Sequence, residues 1–251
     1  MSLLLSGDLK LSKPTTSSVL ITPQTKVPVD PNISDVTLLL HGDGTNGSTT
    51  ITDNSPVPKT VTANGNAQIS TTQSKFGGAS IAFDGTGDYL LSATRSEYAL
   101  PGDFTIECWV RQNSTAALQG IIVKRRLDSS ETGTWGIGIN AGTFFFQKLQ
   151  VTVTTTNFGT STANTWQHIA VSREGSSIRC FLNGTLNATV TDSTNYTNAR
   201  PLVIGAWDRG GIGDVPTQNW LNGYIDDLRI TKGIARYTSN FTPPSAPFPD
   251  I

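Results

Sequence analysis

Residues 221–230 read LNGYIDDLRI, and this stretch decides the fold. Tyr224, Asp226, Leu228 and Ile230 alternate with Ile225, Asp227 and Arg229, which is the period of a strand. Asn222-Gly223 predicts a turn just before it. Beyond it, residues 237–251 are rich in proline and predict little regular structure. The strand is therefore the last one, and its partners lie earlier in the chain. Val36 to His41, VTLLLH, is the first strongly apolar strand and the best candidate. Pairing first with last closes a single domain and leaves a tail on either side.

Between these two segments the pattern is strand, turn, strand. Thr60–Thr62 and Gln68–Ser70 flank Asn64-Gly65, read as a hairpin turn; Ser80–Phe83 and Tyr89–Ser92 flank a Gly-rich loop. Phe104–Arg111 alternates cleanly, and Trp109 on its second face predicts that this face is covered too. Gly120–Lys124, Trp135–Asn140, Thr143–Gln147, Gln150–Thr155, Trp166–Arg173, Ser177–Leu182, Thr185–Thr191 and Leu202–Ala206 follow. Turn signals recurring every ~8–12 residues predict an all-β protein, a two-sheet antiparallel sandwich or a barrel. The one helical turn expected is at Gly233–Tyr237.

Of the 251 residues, 15% are charged, and the net charge is -1. The longest basic run, Lys124-Arg125-Arg126, ends an apolar strand, so no nucleic-acid footprint is expected. MSLLLSGDLK lacks the basic start of a signal peptide, and no segment approaches the ~20 apolar residues of a membrane span. Cys108 and Cys180 lie on the apolar phases of their strands and read as buried free thiols, with a bridge between facing strands left open. The organisation expected is an N-terminal extended arm over 1–34, a sandwich over 35–236 and a C-terminal tail over 237–251 packed on it. The apolar patches at Leu3–Leu5 and Val19–Ile21 suit an arm that contacts a neighbouring subunit, against the plainer reading of a flexible leader.

Five phrases carry a resemblance: LLLHGDGTNGSTTITDNS (38–55), KFGGASIAFDGTGDYL (75–90), GDFTIECWV (102–110), TWQHIAVSREGSSIRCFLNG (165–184) and NGYIDDLRITKGIARYTSNFTPPSAPFPD (222–250). In this order they resemble the concanavalin A-like lectin/glucanase superfamily, in the laminin-G-like form found in bacteriophage structural proteins. The resemblance implies a jelly-roll sandwich. It also implies a structural calcium, with Asp43, Asp53 and Asp226 at the matching positions; the plainer reading is that Asp43 and Asp53 cap their own turns. Sugar-binding members use an aromatic platform with Asp or Asn partners, and the loop holding Trp207, Asp208, Arg209 and Asp214, with Trp135 nearby, is the candidate. Trp207 packing on the sandwich edge is the plainer alternative.

Catalysis is not expected. Glycoside hydrolysis needs two carboxyl groups across the scissile bond. Glu107 stands alone on its strand, and Asp226 and Asp227 are adjacent, which on a regular strand points them to opposite faces. The function expected from the resemblance is a non-enzymatic virion surface protein of a bacteriophage, a capsid decoration or a tail or fibre component. Its partners would be a major capsid or tail protein held through the arm, and analogy with decoration proteins gives a trimer. The alternative is a carbohydrate-binding module for a host-surface glycan.

Overall fold

The computed structural model describes residues 29–93, 96–115, 117–124, 132–149, 152–207, 216 and 218–251. Fifteen strands are assigned: β1 (Val36–Leu40), β2 (Thr62–Asn64), β3 (Gln68–Ser70), β4 (Ser80–Asp84), β5 (Tyr89–Ser92), β6 (Phe104–Gln112), β7 (Gln119–Lys124), β8 (Thr134–Asn140), β9 (Thr143–Leu149), β10 (Val153–Thr160), β11 (Gln167–Glu174), β12 (Ser177–Leu182), β13 (Thr185–Thr191), β14 (Leu202–Ile204) and β15 (Asn222–Lys232). They form two antiparallel sheets. The larger runs β13-β12-β11-β6-β15-β4-β3, with β1 also on β15, and the smaller runs β10-β9-β8-β7-β14-β5-β2. This is a jelly-roll sandwich. Among the described residues the one helical element is a 3-10 turn at Ile33–Asp35, and no helix is long and apolar enough to cross a membrane.

β15 is the hub. One edge pairs with β6 along its length; the other pairs with β4 at residues 222–225 and with β1 at 228–231. First and last strands are thus hydrogen-bonded side by side. Ile106, Cys108, Val110, Ile225, Leu228 and Ile230 on this sheet meet Ile122, Ile137, Phe144, Phe146 and Ile204 of the other in one continuous core. Cys108 and Cys180 are free and buried; β11 lies between their strands, too wide a gap for a disulfide.

The structure corrects the strand reading at four places. Strict alternation puts Ile225 opposite Leu228 and Ile230, yet all three face the core. A β-bulge between Asp226 and Arg229 inserts one extra residue, with Asp227 in the left-handed region at φ 51, and the phase resets. Asn222-Gly223 is not a turn: both residues pair within β15, where Gly223 passes so close to β6 that a Cβ would stand 2.3 Å from the Arg111 carbonyl oxygen. Asn64-Gly65 is a corner rather than a hairpin, because β2 joins the smaller sheet and β3 the larger. Residues 233–237 hold no helical turn; Thr105 Oγ1 donates to the Ile234 carbonyl and accepts from the Arg236 amide, tying this segment flat on the sheet.

Around Trp109 the outer face of the larger sheet is covered, as expected: this residue is 6% exposed, with Phe76 and His168 edge-on and Lys75 Nζ 3.9 Å from its ring centroid. Beside it lies a buried ion network. Glu107 Oε1 accepts from Arg229 Nη2 at 2.7 Å, and Oε2 accepts from the Tyr237 hydroxyl at 2.7 Å and lies 3.3 Å from His168 Nε2. Arg229 Nη1 and Arg236 Nη2 both donate to Asp30 Oδ2, at 2.9 and 2.7 Å. Asp30 N donates to the carbonyl of Ile251. Phe248 packs on Val36 and Leu39, its ring 3.7 Å from the Arg229 guanidinium, and its amide donates to Asp227 Oδ2. The two ends of the described chain are therefore fastened together on one face. Of the arm expected over 1–34, residues 29–34 lie against the sandwich, and 1–28 lie outside the described residues.

Candidate functional site

The carboxylates expected to hold calcium separate into two groups. Asp53 is 4% exposed and accepts backbone N–H bonds from Leu39 and Ser55 at 3.0 Å and from Lys59 at 2.7 Å. It caps the chain, and its oxygens are spent on that task. Asp226 Oδ2 accepts from the amides of Lys75 and Phe76, and the Asp43 carboxylate lies where a side chain on Gly77 would stand, against that same loop. Asp43 and Asp226 are therefore neighbours and Asp53 is not of their set. Among the described residues no three His, Cys, Asp or Glu side chains converge to hold a metal ion. The three-carboxylate set does not assemble.

Burial pushes Asp226 up to about 7, reinforced by the charges of Asp227 and Asp43 and opposed by its two backbone hydrogen bonds. A carboxyl raised from 3.8 stabilises the fold fully below pH ~4 and loses that contribution as pH climbs towards 7. Asp226→Asn keeps the shape without the charge. In chelator, denaturant unfolding should show the difference between variant and wild type moving in the variant's favour by on the order of 3–4 kcal/mol from pH 4.5 to 7.5. A difference that does not change with pH contradicts this reading. His41 is held charged more firmly than an ordinary histidine: burial opposes its protonated form, but the 2.6 Å contact with Asp227 outweighs burial.

The expected sugar-binding residues fare differently from one another. Asp208, Arg209 and Asp214 lie outside the described residues. Trp135 faces the core, sharing the phase of Ile137 and Ile139 on β8, and is 1% exposed, so it does not belong to a surface site. Trp207 lies on the opposite, outer face of the smaller sheet. It is 2% exposed and packs edge-on against Phe145 at 4.9 Å. Gly136 makes this possible, since a Cβ there would stand 2.8 Å from the Trp207 ring.

Trp207 and Phe145 form the floor of a groove of about 370 Å³ on that outer face. Its walls are Asn140, Thr143, Gln147, Thr155 and Asn157, with Leu118 and Val153 at the sides. β9 and β10 place them: Gln147 pairs with Thr155 and Phe145 with Asn157, so alternate residues of both strands project outward together. Gln147 Nε2 donates to Thr155 Oγ1 at 2.8 Å. None of these lining residues is charged. The groove offers amide and hydroxyl groups over an apolar aromatic floor, the chemistry that receives a polyhydroxylated ring. Sequence reading missed it because TFFFQ reads as one apolar run. The signal available was the alternation of Gly136 and Gly138 on β8 beside it, which clears space for rings lying on the sheet.

Another hollow, of about 740 Å³, is lined by Thr132, Gly133, Lys148, Thr154, Asp192 and neighbouring residues of 193–198. Its described charged groups are paired with each other, Lys148 Nζ 3.1 Å from Asp192 Oδ2, and among the described residues no aromatic one lines it. Glu107 is fully buried and held down to about 2; burial opposes this and the Arg229 charge overrides it.

A family model, Laminin_G_3 of the concanavalin A-like lectin/glucanases superfamily, matches residues 84–235. Solved structures share the fold. The receptor binding domain of botulinum neurotoxin D superposes with a TM-score of 0.60 at 15% identity, covering 84% of this chain and 50% of that one. Botulinum neurotoxin type C, which enters cells in dependence on interaction with two ganglioside molecules, gives 0.58 at 17% identity, covering 81% and 49%. The type G receptor binding domain gives 0.58 at 14% identity, covering 81% and 49%. The chain thus spans about half the length of these solved chains, and at such identities the likeness speaks to fold alone. No curated protein sequence matches the chain.

Proposed function

Because the chain belongs to the concanavalin A-like lectin/glucanase superfamily, we propose that it is a non-enzymatic surface protein that recognises a glycan through the groove over Phe145 and Trp207. The observation that carries this is the groove's composition: five amide or hydroxyl side chains around an aromatic floor, with no charged residue among the described residues lining it. A structural relative that depends on gangliosides supports the reading by analogy of scaffold. The test is a glycan array followed by titration. Thr155 and Asn157 are exposed, so Thr155→Ala with Asn157→Ala should leave the melting temperature unchanged and weaken binding by about tenfold or more, as loss of two hydrogen bonds predicts. Full-strength binding by the double variant would refute the groove.

The setting we propose is the surface of a bacteriophage virion, as a capsid decoration or a tail or fibre component. The phrase TKGIARYTSNFTPPSAPFP, which begins in the last two residues of β15, and the low charge support it. The residues before Val29 would reach the capsid or tail protein, and the oligomer would be a trimer. Light scattering on the full chain and on a chain starting at Val29 checks this. A start at Asp35 would cut away Asp30 and confuse assembly with folding. For the calcium that the resemblance implies, we propose Asp43 and Asp226 as the carboxylates; calcium should raise the melting temperature of the wild type but not of Asp226→Asn.

A further inference from the structure

We propose a second carbohydrate site on the opposite sheet, over Tyr224, that takes a neutral sugar with adjacent hydroxyl groups. It deepens the glycan reading above but uses none of the same residues. A hollow of about 560 Å³ lies on the outer face of the larger sheet, between β3, β4 and β15. Half-buried Tyr224 gives it an aromatic surface, and the Arg111 guanidinium lies 5.7 Å from that ring. Asp84, Asn66, Asn113 and Asn222 supply the polar wall.

This wall is set before any ligand arrives. Asp88, fully buried, accepts from the amides of Asp84 and Asn66. Asn66 Nδ2 donates to Asp84 Oδ2 at 3.0 Å, and Thr86 N donates to Asp84 Oδ1 at 2.7 Å. Arg111 Nη1 donates to Asn113 Oδ1 at 2.8 Å, and Asn113 Nδ2 donates to Asn222 Oδ1 at 2.9 Å. Gly85, at φ +90, lets the 84–88 loop press on β15; a Cβ there would stand 2.9 Å from that of Asn222. That approach brings a carboxylate beside an amide, the pair that grips two adjacent hydroxyls while a ring packs on the sugar's C–H face. Pre-set groups lower the ordering cost of binding. The hydrogen bond from Asn66 holds Asp84 ionised, and Arg111 is already engaged, so a ligand carrying its own carboxylate meets like charge.

The test is ligand-observed NMR on the full chain with methyl glycosides of neutral hexoses and with a sialylated trisaccharide. Tyr224→Ala should lower affinity about tenfold for a subset of neutral sugars that Thr155→Ala/Asn157→Ala still binds at full strength. Asn113→Ala, which leaves the core untouched, should act in the same direction if Tyr224→Ala folds poorly. Unchanged binding in both Tyr224→Ala and Asn113→Ala overturns the second site and leaves the groove standing. Loss confined to the sialylated probe also overturns it. If every probe that binds responds to Tyr224→Ala and none responds to the groove variants, the groove falls and this site stands. No binding of any probe by the wild type sinks both.

Discussion

Glu107→Gln will cost the protein about 3–5 kcal/mol, a fall in melting temperature on the order of 10 °C. The glutamate is fully buried and takes two hydrogen bonds from Arg229 and one from Tyr237. The amide keeps the volume but removes the charge that balances Arg229. Asp30 is then the single anion facing two guanidiniums, Arg229 and Arg236. Breaking one partner of a buried ion group costs far more than the group contributes as a whole, because the other charge stays dehydrated. The pH dependence carries a definite sign. Glu107 is depressed from 4.5 to about 2, so its contribution is complete above pH ~4.5 and is lost as pH falls through 2. The gap between wild type and variant should therefore narrow on acidification over that window. Urea unfolding at pH 7 and pH 3 measures it, and a loss below about 1 kcal/mol at pH 7 would contradict the network described.

Phe248→Ala should cost about 3–4 kcal/mol, the range for removing a large buried ring. Phe248 is 5% exposed, seated on Val36 and Leu39 with Ile33 packed against them. Its ring also faces the Arg229 guanidinium at 3.7 Å, a cation–π contact worth ~1 kcal/mol or more when dehydrated. The effect should reach beyond the tail. Asp30 is bonded to Ile251, so hydrogen exchange at Asp30 and along 33–36 should speed up in the variant. Deleting 248–251 should cost more than Phe248→Ala, because Asp227 Oδ2 then loses the Phe248 amide as well. Equal stability of the deletion and the wild type would show that the tail merely rests on the sheet.

Strand positions were legible because apolar alternation and Gly-containing turns are local signals; β6, β11, β12 and β15 fall within a few residues of their expected bounds. Geometry that depends on a neighbouring strand was not. The bulge at Asp226–Arg229 leaves no local mark: only the opposing register of Glu107 and Trp109 on β6 shows that one residue is extra. Asn64-Gly65 looks like any hairpin turn until β2 and β3 are seen in different sheets. Trp207 was picked out as an aromatic in a Gly-rich loop, but its function as a floor needs Phe145 and Gly136, some 60–70 residues earlier in the chain. Asp53 looked like a ligand because a carboxylate's partners are invisible in sequence, and here they are three amides.

The place of β15 has a consequence for synthesis. The strand that receives β1, β4 and β6 leaves the ribosome after all of them. Until residue 232 emerges, β6 has only β11 and β4 only β3 beside it, and β1 has no strand to pair with. The nascent chain therefore spends that interval with unpaired apolar edges, exposed to chaperones and to self-association, and it can close only in one late, slow, long-range step.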